Sequence, residues 1–175
     1  MKDESEMSMM REPNYFFGLQ IKQKSDGIFI NQAKYTKKLI KKFGLENTKV
    51  NKTPMTTTTK LDKDEQGKNI DIKLYHNMIS SLLYLTTSRP NIMFNVCLCA
   101  RFQSCPRESH LIAVKLIIRY RKSTIRIGLW YPKIEQFNMT SYSDADYAGC
   151  RVDQKSTSKT CKFLGNCLVS WSITK

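Results

Sequence analysis

Tyr142-Ser143-Asp144-Ala145-Asp146-Tyr147-Ala148-Gly149 decides the fold, because here acidic side chains sit inside a strand-like run with a glycine turn just after it. Phe137, Met139, Ser141 and Ser143 alternate with Asn138, Thr140, Tyr142 and Asp144. That is the period of a strand, and it puts Asp144 and Asp146 on one face near the strand's C-terminal end. Carboxylates on a strand end suit a hard divalent cation such as Mg2+, and through it metal-assisted phosphodiester hydrolysis. The plainer reading, Asp and Ser forming a turn after a strand, stays open.

Downstream, residues 151–158 read as a polar loop, and Cys161-Lys162-Phe163-Leu164, Gly165-Asn166 and Cys167-Leu168-Val169-Ser170-Trp171 as a hairpin. Three strands without a covering helix bury little apolar surface. This unit is therefore expected to be truncated and loose, with Phe163, Leu164, Val169 and Trp171 exposed on one side.

Upstream, residues 7–13 are Met-rich and mixed, and Tyr15 to Gln23, Ser25-Asp26-Gly27 and Ile28-Phe29-Ile30 carry a hairpin signature. Asn31 can cap a following helix with Tyr35, Leu39, Ile40 and Phe43 on one face and Gly44 at its end. Lys34, Lys37, Lys38, Lys41 and Lys42 cover the rest of it, either as a solvated face or as a nucleic-acid contact. Residues 46–70, polar and Thr-rich, read as a surface linker. Helical spacing follows over 72–87, 90–102 with Pro90 opening the helix, and 107–121, packing as a small bundle. The last of these buries Leu111, Val114 and Ile118 and presents Lys115, Arg119 and Lys122 as a second basic surface. A short strand over 127–132 and a polar step lead into the acidic strand, where a composition shift marks a domain boundary.

The 175 residues suffice for one ordinary domain or parts of two. Lys and Arg number 29 against 15 Asp and Glu, a formal charge of +14 that favours an anionic partner. Six cysteines without a Cys-x-x-Cys pair, and two histidines far apart (His76 and His110), signal neither a zinc module nor a disulfide scaffold. No signal peptide or membrane-spanning stretch is legible, so an intracellular, unanchored chain in the cytoplasm or nucleus is expected.

Tyr15-Phe16-Phe17-Gly18-Leu19, Ser88-Arg89-Pro90-Asn91-Ile92, Arg101-Phe102, His110 with Ala113, Lys115 and Arg119-Tyr120, and Tyr142-Ser143-Asp144-Ala145-Asp146 followed by Lys155-Ser156-Thr157-Ser158 resemble, in order and spacing, the Pol polyprotein of copia-type LTR retrotransposons. The resemblance implies an α+β chain in four parts. Residues 1–45 would be a reverse transcriptase palm-edge hairpin resembling the primer grip, with a thumb-like basic helix; 46–71 a polar linker; 72–135 a helical connection; and 136–175 the first three antiparallel strands of a truncated ribonuclease H-like domain. It implies RNA-dependent DNA synthesis and RNA–DNA hybrid hydrolysis in the intact family, with Mg2+ as cofactor. It makes Asp144 the first-strand catalytic carboxylate, and Asp144 and Asp146 the metal ligands. Tyr15, Phe17, Gly18, Lys34, Lys37, Lys38, Lys41, Lys42, Lys115, Arg119 and Lys122 are the candidate nucleic-acid contacts.

The family's Tyr-Val-Asp-Asp polymerase signature is not in this sequence, and two-metal hydrolysis needs more carboxylates than Asp144 and Asp146. Several residues depart from the family pattern, among them Pro13, Arg121, Ser123, Tyr147 and Lys159. The expectation is a fragment without catalysis of its own, holding no Mg2+ tightly and binding RNA–DNA hybrid or duplex weakly and salt-sensitively, with no membrane partner and the rest of a Pol polyprotein as its natural company. The alternatives are a Mg2+-dependent nuclease, active alone or completed by a partner, and a host-adopted nucleic-acid-binding or interaction protein.

Overall fold

The structure is a computed structural model that describes residues 15–55, 61–133, 138–146 and 156–174, with Asp146 described by its backbone. The Met-rich segment, the turn at 147–149 and most of the loop after it, residues 151–155, lie outside the described residues. The elements are β1 (Tyr15–Phe16), β2 (Leu19–Lys24), β3 (Gly27–Asn31), α1 (Ala33–Lys42), α2 (Ile72–Leu85), a 3-10 turn (Thr86–Ser88), α3 (Pro90–Ala100), α4 (Glu108–Ser123), β4 (Leu129–Pro132), β5 (Met139–Asp146), β6 (Thr157–Leu164) and β7 (Cys167–Thr174). They form an α+β architecture with two antiparallel sheets, ordered β1-β2-β3-β4 and β5-β6-β7.

Where one hairpin is legible in the sequence, the structure has two. Phe17 and Gly18, both at positive φ (45° and 78°), turn β1 back onto β2 before the Ser25-Asp26 turn reverses the chain again. Two consecutive positive φ values give the twist that a tight hairpin requires. The short strand near 130 also has a purpose that its local sequence hides, since β4 pairs with β3 through Ile28 with Tyr131 and Ile30 with Leu129. Gly27 permits this approach. A Cβ there would collide with the Tyr131 carbonyl oxygen and the Pro132 Cα.

Helix α1 begins after Gln32, while Asn31 Oδ1 accepts a hydrogen bond from the Ala33 amide at 3.1 Å. It ends as expected at Gly44, whose φ of 64° lets Gly44 N–H reach the Lys41 carbonyl and Leu45 N–H the Ile40 carbonyl, a Schellman stop. Leu39, Ile40 and Leu45 then join Tyr75, Met78, Ile79, Leu82, Leu85, Ile92, Val96, Ala113, Val114, Ile117 and Ile118 in one core. Gln32 is fully buried and locks α1 to the neighbouring turn, donating to the Tyr84 carbonyl and accepting from Ser88 Oγ at 2.7 Å.

The described parts of the stretch read as a surface linker, 46–55 and 61–70, lie against α4 and its N-cap and are bonded to them at many points. Arg107 N–H donates to His110 Nδ1 at 2.9 Å, which leaves the ring proton on Nε2, 2.7 Å from the Asp62 carbonyl oxygen. Glu108 N–H donates to the Lys68 carbonyl, Ser109 Oγ to Asp64 Oδ2, and Arg107 to the Gly67 carbonyl. Met55, Leu61 and Ile70 pack against the core as well. The segment lacks period because side chains of α4 satisfy its backbone, in place of a ladder of its own.

The second sheet overturns the expectation of an uncovered hairpin. β7 lies against α3 and β4, Cys167 and Thr157 are buried, and Trp171 Nε1 donates to the Thr86 carbonyl at 3.0 Å. Tyr131 Oη donates to the Leu168 carbonyl at 2.9 Å. Phe163, Leu164 and Trp171 are half-buried in consequence, and of the four apolar residues expected in the open only Val169 is exposed. Thr157 and Ser158, assigned from sequence to the polar loop, open strand β6.

Candidate nucleic-acid interface

The β1–β2 tip and α1 carry the first cluster of candidate residues. Tyr15, Phe16 and Phe17 are 56, 55 and 79 % exposed, far more than large aromatics accept without a reason. Tyr84 Oη donates to the Phe17 carbonyl oxygen and holds the turn in place from α2. Lys34, Lys37, Lys38, Lys41 and Lys42 are all exposed on α1, opposite the face that buries Thr36, Leu39 and Ile40. The structure brings the two groups together, with Lys34 Nζ 5.9 Å from the centre of the Tyr15 ring. Phe16, which packs edge-on to Phe17 at 4.5 Å, belongs to the tip too and was missed, because a strand residue gives no local sign of facing solvent.

The second basic surface is used differently. Arg119 Nε donates to the Lys49 carbonyl at 2.6 Å, and Lys122 Nζ reaches the Glu46 carbonyl and, at 2.8 Å, the Thr48 carbonyl. Their cations hold the 46–51 segment to the last turns of α4; Lys115 is half-buried on the same helix. Deeper still, Arg89 and Arg121 are 2 and 0 % exposed, and among the described residues neither forms an ion pair with a carboxylate. Arg121 bonds Thr124 Oγ1 at 2.5 Å and Thr36 Oγ1 at 3.4 Å, and Arg89 donates to the Ile125 and Ile127 carbonyls. Among the described residues the Nε of each has no hydrogen-bond partner. Burial lowers Arg89 to about 10; burial first, and then the Arg89 charge, lower Arg121 to about 9.

Asp144 sits on β5 directly across from Lys159, whose Nζ is 3.6 Å from its Oδ2 and also lies 4.8 Å from the centre of the Phe94 ring on α3. The carboxylate is 74 % exposed, and the side chain of Asp146 lies outside the described residues. No group of three or more His, Cys, Asp or Glu able to hold a metal ion occurs among the described residues. Among the described residues Asp144 has no second carboxylate beside it and faces an ammonium, and that pair alone does not make a site for a divalent ion, which needs several oxygen donors. Nor does a thiol nucleophile present itself at α3, since burial pushes the Cys99 thiol up to about 12 and raises that of Cys97. No helix among the described residues is long and apolar enough to cross a membrane.

No family model matches the chain, and no solved structure matches it. Three relatives do. An uncharacterized mitochondrial protein of Arabidopsis thaliana is 32 % identical over 163 residues, covering 93 % of this chain and 67 % of the relative. The retrovirus-related Pol polyprotein from transposon RE1 of Arabidopsis thaliana is 34 % identical over 164 residues, 94 % of this chain and 11 % of that protein. The putative transposon Ty5-1 protein YCL074W of Saccharomyces cerevisiae is 30 % identical over 162 residues, 91 % of this chain and 53 % of its own length. The chain thus spans two thirds of the mitochondrial relative and about a tenth of the polyprotein. Identity near 30 % along almost its whole length means that the chain belongs to the family that unites this mitochondrial protein with the Pol polyproteins of copia-type retrotransposons.

Proposed function

We propose that the chain corresponds to the part of a Pol polyprotein in which the reverse transcriptase runs into the ribonuclease H domain, and that it serves as a nucleic-acid-binding unit without a metal centre of its own. In this reading β1 to β3 are the primer-grip-like hairpins, α1 is the thumb-like basic helix, and β5 to β7 are the opening ribonuclease H-like strands. The observation that carries it is the pairing of an exposed aromatic tip, Tyr15, Phe16 and Phe17, with five exposed lysines on the adjoining helix. Cations that track phosphates beside rings that can stack on bases are the two components of sequence-tolerant nucleic-acid binding. Lys159 supports this part of the reading, because its ammonium 3.6 Å from Asp144 Oδ2 disfavours a second cation there.

Fluorescence anisotropy with a labelled RNA–DNA hybrid tests this reading. Binding weakens steeply as salt rises, and joint replacement of Lys37, Lys38, Lys41 and Lys42 by Glu abolishes it at moderate salt. Unchanged affinity in that variant assigns the lysines to plain solvation. The same hybrid incubated with Mg2+ stays intact; cleavage by the parent and not by Asp144→Asn establishes the nuclease alternative instead.

A further inference from the structure

The helix-facing side of the second sheet has an open end that neither the lysines of α1 nor Asp144 accounts for. Directly paired residues of an antiparallel sheet share a face, so the pairs Asp144 with Lys159, Tyr142 with Cys161 and Thr140 with Phe163 place Thr140, Tyr142 and Asp144 in one row. α3 covers the β7 side of this face, while Thr140, Tyr142 and Asp144 on β5 are exposed. A cavity of about 310 Å³ lies there, lined by Thr140, Tyr142, Phe163, Gly165 and Asn166. Tyr142 is 60 % exposed and meets Phe163 edge to face at 5.8 Å.

We propose that this cavity is a subsite for a single unpaired nucleobase, stacked on Tyr142 and read along its edge by the Asn166 amide and the Thr140 hydroxyl. The proposal rests on the nucleic-acid reading above and deepens it. A planar heteroaromatic ring suits the site because its lining combines a paired aromatic wall with donors and acceptors, whereas a purely apolar ligand would leave Thr140 and Asn166 without partners. The Lys159 ammonium facing Asp144 leaves that end of the row without net charge, so the base and not a phosphate is what the subsite would hold.

The test titrates the protein with adenosine 5′-monophosphate and, separately, with inorganic phosphate, following the amide and side-chain NMR signals of Tyr142 and Asn166. Anisotropy with oligothymidylate and an abasic strand of equal length runs in parallel. The nucleotide moves both residues' signals and phosphate alone does not; Tyr142→Leu removes the response and Tyr142→Phe keeps it. Tyr142→Leu weakens oligothymidylate about five- to 150-fold, the range for loss of one stacked base, and leaves the abasic strand unchanged. Signals that stay still at millimolar nucleotide overturn the subsite, even where the oligonucleotide binds through α1. Signals that move with protein concentration alone overturn it too, by assigning the face to a second copy of the chain. If the nucleotide moves Tyr142 and Asn166 while no oligonucleotide binds at low salt, the subsite stands and the broader binding reading falls.

Discussion

The helical region and the second sheet are held together by different physics. From α1 to α4 the chain buries one continuous apolar core in which Tyr75, Ile79, Leu82, Leu85, Ile92, Val96, Val114, Ile117 and Ile118 are fully enclosed. The second sheet adds only Cys167 and Thr157 as buried residues among those described and, besides the packing of β7 on α3 and β4, is held by single polar contacts: Trp171 to Thr86, Tyr131 to Leu168, Arg101 to Thr157 and Lys159 over Phe94. Apolar burial scales with area and is spread over many side chains, whereas each polar pin is worth little and can be removed one at a time. The difference teaches that the helices set the stability of the molecule and the pins decide where the sheet sits.

The largest expected effect tests the first half of that comparison. Leu82→Ala empties space in the middle of the core and costs about 2–5 kcal/mol, read as a lowered midpoint in denaturant. A smaller loss would mean that the core closes over the gap. Next comes Arg121→Met, which replaces a buried cation without a carboxylate partner by an apolar chain of similar length. It raises stability by about 1–4 kcal/mol, the gain seen when buried charges give way to packed apolar groups. Destabilisation would show instead that the bonds to Thr124 and Thr36 outweigh the desolvation of Arg121.

Smaller effects address the sheet. Trp171→Phe keeps the ring but deletes one of the two donors to the Thr86 carbonyl, which keeps its bond from the Arg89 amide, a change of about 0.5–1.5 kcal/mol. Hydrogen exchange is expected to quicken across β5 to β7 and to stay slow in α2 to α4. Equal quickening in both would merge the two regions into one cooperative unit. Least of all, Lys159→Met breaks the exposed pair with Asp144 and shifts the midpoint by less than about 1 kcal/mol; a larger shift would make this pair a genuine pin.

What the sequence determined by itself is whatever depends on neighbours along the chain. The helices near 72, 90 and 107, the Schellman stop at Gly44, the alternation of β5 and the hairpin at Gly165-Asn166 were all legible, because period and turn chemistry are local. The row of lysines on α1 was legible for the same reason. Only the tertiary structure decided the rest. Nothing local announces that β4 closes onto β3, or that residues 46–49 and 62–69 are tied to α4 by the side chains of Arg107, His110, Arg119 and Lys122. Strand register set Lys159 opposite Asp144, and the docking of β7 on α3 covered a face that composition alone left bare. Each of these joins groups far apart in the chain, and such partners are chosen by how buried surfaces and unsatisfied hydrogen-bonding groups fit in space, which spacing along a sequence does not encode.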